Sequence, residues 1–352
     1  MLVTDRLIDS RLPLVAAPMA GGPTTVELAT AVADAGAFPF LAGGYKSPAA
    51  LRAEIEQLRG LDTGFGVNLF VPSRAAVDEV SFAAYARELA AEAAAYGIAL
   101  NEVPVVDDDD RWAEKLVLLL ASPVPVVSLT FGLPDPTAIA ALRAVGTRVI
   151  ASVTTTQEAR RARDAGVDGL VVQGSGAGGH SAVFDPARTP ENVDTADLAG
   201  LTDLADLVRE VRGSVRLPVI AAGGVDGPAA VEHLIDAGAE AVAVGTLLLL
   251  ADEAGTSAAH RSALADPAYA ETVVTRAFTG RPARALRNGF IDRHGRSQVT
   301  AYPAVHHLTR PLRQAAAKAG DPERLHLWAG TGYRSAATGP AADIVRRLAS
   351  GL

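Results

Sequence analysis

Apolar and polar positions fall into short alternating blocks along the chain. Brief apolar runs that end in small residues or glycine alternate with longer stretches in which Ala, Leu and Val recur at helical spacing. Three junctions repeat closely. Asp34-Ala35-Gly36-Ala37 leads into Phe38-Pro39-Phe40-Leu41-Ala42, Asp164-Ala165-Gly166-Val167 into Asp168-Gly169-Leu170-Val171-Val172, and Asp236-Ala237-Gly238-Ala239 into Glu240-Ala241-Val242-Ala243-Val244. In each, a helix is expected to end on a glycine that can take the left-handed conformation after the last turn, and a short buried strand follows. Gly166 and Gly238 lie 72 residues apart with one more apolar run, 218–222, between them, so the unit recurs at half that spacing. Strands alternating with helices at this interval predict a parallel sheet.

Extended along the chain, the pattern predicts eight strands, near 13–18, 37–42, 65–69, 125–130, 147–152, 168–173, 218–222 and 241–245. Helices are expected over 24–35, 48–59, 156–165 and 228–237, with two more, 81–96 and 111–121, in the long connection before the fourth strand. The expected fold is α/β: a (β/α)8 TIM barrel over 1–250, a helical second domain or lid over 251–335, and a helix in 336–352 packing back on the barrel. An open, doubly wound sheet is the alternative, because a linear pattern does not reveal closure.

Composition agrees. Of 352 residues 49% are hydrophobic but only 5% aromatic, which suits closely packed helices and strands better than an aromatic-rich sandwich. There is no cysteine, so disulfides, thiolate metal sites and cysteine nucleophiles are excluded, and no metal site is expected. The formal charge of -8 argues against nucleic acid as a partner. No apolar stretch reaches the roughly 18 residues of a membrane helix. Asp5, Arg6 and Asp9 precede any apolar run, so a secretory leader is not expected either. The expectation is a cytoplasmic protein, monomer or homodimer, with a small-molecule substrate. The run Asp107 to Asp110 fits the amino end of a helix better than a cation site.

In such a barrel, chemistry belongs at the carboxyl ends of the strands. The seventh strand ends in Gly223-Gly224-Val225-Asp226-Gly227 and the eighth in Val244-Gly245-Thr246. Two glycine-rich turns in adjacent positions expose backbone N–H groups that a phosphate can approach. Asn68 and Gln173, amides at two further strand ends, can both donate and accept towards a polar ring edge. The glycine-rich loop 174–179 is expected to wrap a flat cofactor and present His180.

These residues resemble a known family. Ala17-Pro18-Met19-Ala20-Gly21-Gly22, Gly66-Val67-Asn68-Leu69-Phe70, the loop from Gln173 to His180, Pro218-Val219-Ile220-Ala221-Ala222-Gly223-Gly224, Gly245-Thr246, the run from Phe278 to Arg284 and that from Tyr302 to His307 are similar to the nitronate monooxygenases, formerly 2-nitropropane dioxygenases. The resemblance covers almost the whole chain, in order. It implies FMN as cofactor and oxidation of an alkyl nitronate, propionate 3-nitronate among the candidates, by O2 to a carbonyl compound and nitrite. It also implies that Pro18 and Met19 lie against the flavin and that Asn68 and Gln173 hold its polar parts. Gly178, Gly179, Gly223, Gly224, Val244, Gly245 and Thr246 would surround the phosphate end, and His180 would be the catalytic residue.

Tyr302, His306 and Arg310 recur every four residues and would share a helix face at the substrate. Related bacterial enzymes carry Tyr, Tyr and Lys at this spacing, and often a glutamate where Gly176 stands. His233 and His260 are expected at the surface, while His294 and His326 have no evident partner. The competing readings are an NAD(P)H-dependent flavin reductase for quinones or enoyl thioesters, a non-catalytic flavin-binding protein, and a flavin-free barrel for a sugar phosphate.

Overall fold

In the computed structural model, residues 6–72, 76–100, 103–190 and 199–352 are described. Asp5, in the polar amino-terminal segment, lies outside them. The barrel strands are β1 (Leu14–Ala16), β2 (Phe38–Ala42), β3 (Gly66–Phe70), β4 (Val126–Thr130), β5 (Arg148–Val153), β6 (Gly169–Gln173), β8 (Val219–Ala222) and β9 (Ala241–Val244). All pair in parallel, and β9 closes onto β1 through Leu14↔Val242 and Ala16↔Val244. The sheet is a closed (β/α)8 barrel, which decides against the open alternative. β1 is shorter than its apolar run because Pro13 and Pro18 flank it and neither can donate to a ladder.

The repeated junction forms as the sequence requires. Gly36, Gly166 and Gly238 have φ of +96°, +87° and +101°, each directly after the last turn of a helix and before a barrel strand. Thr25, Ser47, Asp135 and Thr155 open their helices by accepting from backbone N–H groups. Inside the barrel, Val15, Phe40, Val126, Ile150 and Ile220 belong to one buried cluster. Gly66 leaves the space that the Phe40 ring occupies. Leu7 packs onto Gly169 at the amino end of β6 and donates its N–H to Glu240 Oε1 at 2.6 Å, closing that end of the barrel. The carboxyl end is left for a site.

The region after the barrel is not purely helical. Beside the helices Ala258–Ala265, Gly289–His294 and Ala304–Ala319 it contains β10 (Thr272–Thr275) and β11 (Ala283–Leu286), an antiparallel pair. β11 also pairs with β7 (Gly179–His180), so the glycine loop after β6 becomes the third strand of this sheet. The β-branched run Thr272-Val273-Val274-Thr275 was the available strand signal. The last helix, Ala341–Leu348, packs on the helices Val26–Asp34 and Pro228–Asp236. Among the described residues no helix is long and apolar enough to cross a membrane.

Candidate active site at the carboxyl ends of the strands

A cavity of about 670 Å3 opens above the barrel core, with Val15, Phe40, Val171, Ile220 and Ala243 in its floor. Its size is that of a pocket for a cofactor or drug-sized ligand. Pro18, Met19, Asn68, Gln173, Gly178, Gly179, Gly223, Gly224, Val244, Gly245 and Thr246 line it, together with His180, His306 and Arg310. Tyr302 borders a small adjoining recess with Tyr45, Phe70 and His307. It precedes the helix Ala304–Ala319, whose N-cap is Pro303, so it does not share a helix face with His306 and Arg310.

At the ends of β8 and β9 the cavity narrows to a cup of backbone. The N–H groups of Gly178, Gly223, Gly224, Gly245 and Thr246 enter no turn or loop hydrogen bond among the described residues. Side chains are kept out for two different reasons. At Gly178 a Cβ would collide with the Gly330 backbone and sit 2.7 Å from the carbonyl carbon of Ala329, while at Gly223, with φ +112°, it would come within 2.9 Å of Ala177. At Gly245, φ is −120° and a Cβ would be 3.5 Å from Ala17 Cβ and Met19 Sδ, an ordinary contact. The protein itself therefore tolerates a side chain at Gly245, and the space left there belongs to the cavity. Free amides around an uncharged hollow, after the seventh and eighth barrel strands, fit a phosphate group.

The two amide side chains are also engaged by the protein. Gln173 Oε1 accepts from Ala182 N at 2.7 Å and Nε2 donates to His180 O at 3.2 Å, which fixes the strand carrying His180 and leaves one amide proton. Asn68 Nδ2 lies 2.8 Å from Ser128 Oγ and 2.9 Å from Thr130 Oγ1.

His180 is held on all sides. Its backbone pairs with Ala283, and its ring makes edge or tilted contacts with Phe131, Tyr302 and Trp328 at centroid distances of 5.5, 5.7 and 5.4 Å. Nε2 is 2.9 Å from Thr279 Oγ1, which is also 3.3 Å from Arg281 O. Burial, and then the charges of Arg281 and Arg313, push its pKa down to about 3, so the ring is a neutral imidazole at neutral pH. Arg281 is itself buried, donates to Val183 O and stacks its guanidinium 4.1 Å from the Phe131 centroid.

The helix Ala304–Ala319 contributes a wall that was only partly foreseen. His306 stacks flat on Tyr45, with centroids 4.3 Å apart, and burial followed by the Arg313 charge lowers its pKa to about 2. Tyr45 holds its φ of +64° with its N–H on Asp110 Oδ1 at 2.9 Å, and Asp110 pairs with buried Lys115 at 2.7 Å. The acidic run thus makes turns and a helix start, and also positions one site aromatic.

Arg313, 6% exposed, reaches into this wall where the exposed Arg310 had been the expected cation. Residues 306 and 313 are two full turns apart and lie more nearly above one another than 306 and 310, a signal the four-residue spacing missed. His326, expected to lack a partner, lies 3.3 Å from Arg313. His260, expected at the surface, is 8% exposed, lines the cavity and has its pKa lowered to about 4 by burial. It belongs to the inner face of the short helix Ala258–Ala265, a face that the sequence alone leaves undefined. His294, by contrast, serves structure: it sits between Glu88 and Glu92, at 2.6 and 3.0 Å. Among the described residues, no Asp or Glu lines the cavity, whereas Lys46, Arg310 and Arg313 do.

A cup of main-chain amides beside a carboxylate-free chamber of neutral imidazoles, at the carboxyl end of a closed barrel, is the arrangement of a barrel enzyme for small molecules. Comparison with known proteins narrows the class. The profile of the family described as nitronate monooxygenase matches residues 5–351, and the chain belongs to that family. A probable nitronate monooxygenase of Staphylococcus saprophyticus is 34% identical over 335 residues, covering 93% of this chain and 91% of its own. The solved nitroalkane oxidase from Streptomyces ansochromogenes is 44% identical with a TM-score of 0.88, covering 97% and 96%. FabK from Thermotoga maritima shares the fold at 26% identity and a TM-score of 0.70, covering 97% and 93%.

Proposed function

We propose that the protein oxidises alkyl nitronates, and nitroalkanes that it first deprotonates, with FMN as cofactor and O2 as oxidant, giving a carbonyl compound and nitrite. The observation that carries this reading is the pairing of a free-amide cup with a neutral, aromatic-caged His180 in a cavity without carboxylates. The likeness to nitronate monooxygenases and to a nitroalkane oxidase supports it.

Gly178, Gly223, Gly224, Gly245 and Thr246 would hold the FMN phosphate, Gly179 and Val244 would border it, and Pro18 and Met19 would lie along the ring. Asn68 and Gln173 would face its polar parts. When bound, the flavin supplies the electron acceptor and the reaction with O2. The residues of the chain do the rest. With Thr279 donating its hydroxyl proton to Arg281 O, His180 keeps its proton on Nε2 and has a lone pair at Nδ1. Nδ1 takes the α-proton of a neutral nitroalkane, and the nitronate charge formed beside the new imidazolium offsets the weak basicity that burial and the arginines impose on the ring. A substrate that arrives as the nitronate needs no base. Phe131, Tyr302 and Trp328 exclude water around this transfer. Tyr302, His306 and Arg310 would bound the substrate. The enzyme acts on small molecules, as a monomer or homodimer in the cytoplasm, without a nucleic-acid or membrane partner.

The test is oxygen uptake and nitrite release by the purified yellow protein on propionate 3-nitronate and 2-nitropropane. Both are expected without added nicotinamide. Rapid anaerobic bleaching by NADH, with no nitrite from either nitro compound, would overturn the reading in favour of a reductase. A protein that stays colourless with added FMN would overturn the cofactor assignment.

A further inference from the structure

The chemistry of Arg313 determines what its two histidine neighbours can offer. A guanidinium only donates hydrogen bonds, so every imidazole nitrogen it contacts must present a lone pair. Arg313 Nη2 lies 3.2 Å from His306 Nδ1 and 3.0 Å from His306 O, Nε lies 3.0 Å from Thr309 Oγ1, and Nη1 lies 3.3 Å from both ring nitrogens of His326. His306 is therefore the tautomer protonated at Nε2. His326 is held neutral by burial and then by the Arg313 charge, and Nη1 is shared between its two ring nitrogens. Both rings line the cavity, as does Arg313 itself. All partners of this buried cation are neutral.

We propose that Arg313, with the Nε2–H it orients on His306 and with His326 beside it, forms an oxyanion pocket for the planar NO2 group of the substrate in its anionic form. This rests on the nitro-compound reading given above and adds the residues that recognise the reacting group. The pocket is distinct from the phosphate cup. The chain from His326 to Gly330, whose N–H bonds Thr246 at the cup, spans at most about 14 Å. The two sites therefore lie at opposite ends of one short segment, within that reach of each other. His180 stands between the walls, within ring contact of Trp328, and Trp328 is in turn in contact with His326 at 5.2 Å. As His180 Nδ1 removes the α-proton, the electron pair of the C–H bond moves onto the nitro oxygens, and the charge that appears there meets donors already in place. Nitrite, the small oxyanion released, fits the same pocket.

Inorganic nitrate, a planar anion that is not a substrate, tests the pocket by calorimetric titration of the FMN-loaded protein. Arg313→Met is expected to weaken nitrate binding by about 10- to 100-fold, the loss of a charged hydrogen bond. Arg313→Lys is expected to keep part of the affinity. FMN binding and melting temperature monitor folding of both variants. In turnover, Arg313→Met should depress kcat on a neutral nitroalkane more than on its preformed nitronate, because only the former develops charge in the transition state. Nitrate affinity unchanged in folded Arg313→Met, or lost instead in Arg310→Met, would overturn the proposal. Nitrate binding needs no oxidation chemistry, so it can hold even if no nitro compound is turned over. If Arg313→Met does not fold, nitrate affinity retained in folded Arg313→Lys at a wild-type level alongside loss in Arg310→Met overturns it equally.

Discussion

The cup at the ends of β8 and β9 and the wall carried by the helix Ala304–Ala319 border the same cavity, yet they are made of opposite materials. The cup recognises with main-chain amides and carries no charge. Its specificity lies in where Cβ atoms are missing, at Gly178, Gly223 and Gly245. The wall recognises with long ionisable side chains whose protonation depends on burial: His306 and His326 are held neutral while Arg313 stays charged, its pKa lowered only to about 10. The cup needs only an anion to complete its hydrogen bonds. In the wall, Arg313 is held by neutral acceptors alone, so no carboxylate of the cavity lining offsets its charge. Burying an unpaired guanidinium would be far costlier.

Substitutions on the two sides should therefore separate cofactor retention from chemistry. The largest effect is expected from His180→Asn, which keeps the backbone pairing with β11. Turnover of a neutral nitroalkane should fall by about 10²- to 10⁴-fold while FMN stays bound. Equal turnover would remove His180 from proton transfer. Gly178→Ala comes next, forcing the β6–β7 loop away from Ala329 and Gly330. FMN affinity should drop by about 100-fold, with about 1–3 kcal/mol of stability lost, measured by fluorescence titration and chemical denaturation. Gly245→Ala should be milder and more diagnostic: FMN affinity down by about tenfold with no change in melting temperature, since its Cβ meets only ordinary contacts. An unchanged FMN affinity would place the phosphate elsewhere.

The smallest effect concerns pH. His180, His260 and His306 have folded pKa values near 3, 4 and 2, below the ordinary 6.5. Between those values and 6.5 the unfolded chain binds more protons than the folded one. The neutral histidines thus leave stability intact above pH 6.5 and erode it as pH falls below. The melting temperature should decline between pH 7 and 5, by about 2–4 °C for each kcal/mol lost, and His260→Gln should make the decline shallower. A melting temperature that rises on acidification would contradict the neutral assignment.

The comparison also explains what the sequence made legible. The barrel repeats one backbone step, and glycine marks both its helix ends and its cup, so Gly36, Gly166, Gly238, Gly223 and Gly245 were readable from local chemistry. The wall depends on helix rotation and on contacts between distant segments. Arg310 was visible as a cation at a four-residue interval. Arg313 becomes significant only when the helix phase is known and His326 folds back beside it. Tyr45 and Phe131 gave even less away, because their positive φ values, +64° and +81°, are set by tertiary partners rather than by residue type. The antiparallel pair of β10 and β11 was hidden for a related reason: β11 carries Arg284, whose charge masks a fully buried strand.

The register Ala283↔His180 has a bearing on biosynthesis. A ribosome that has released only the first 250 residues has delivered all eight barrel staves and the glycine turns that follow them, but neither the partner strand that orients His180 nor Gly330 and Thr331, which bond Thr246 and Gly176. The staves can therefore be in hand well before the cavity above them has its walls, and competence would arrive only with the final third of the polypeptide.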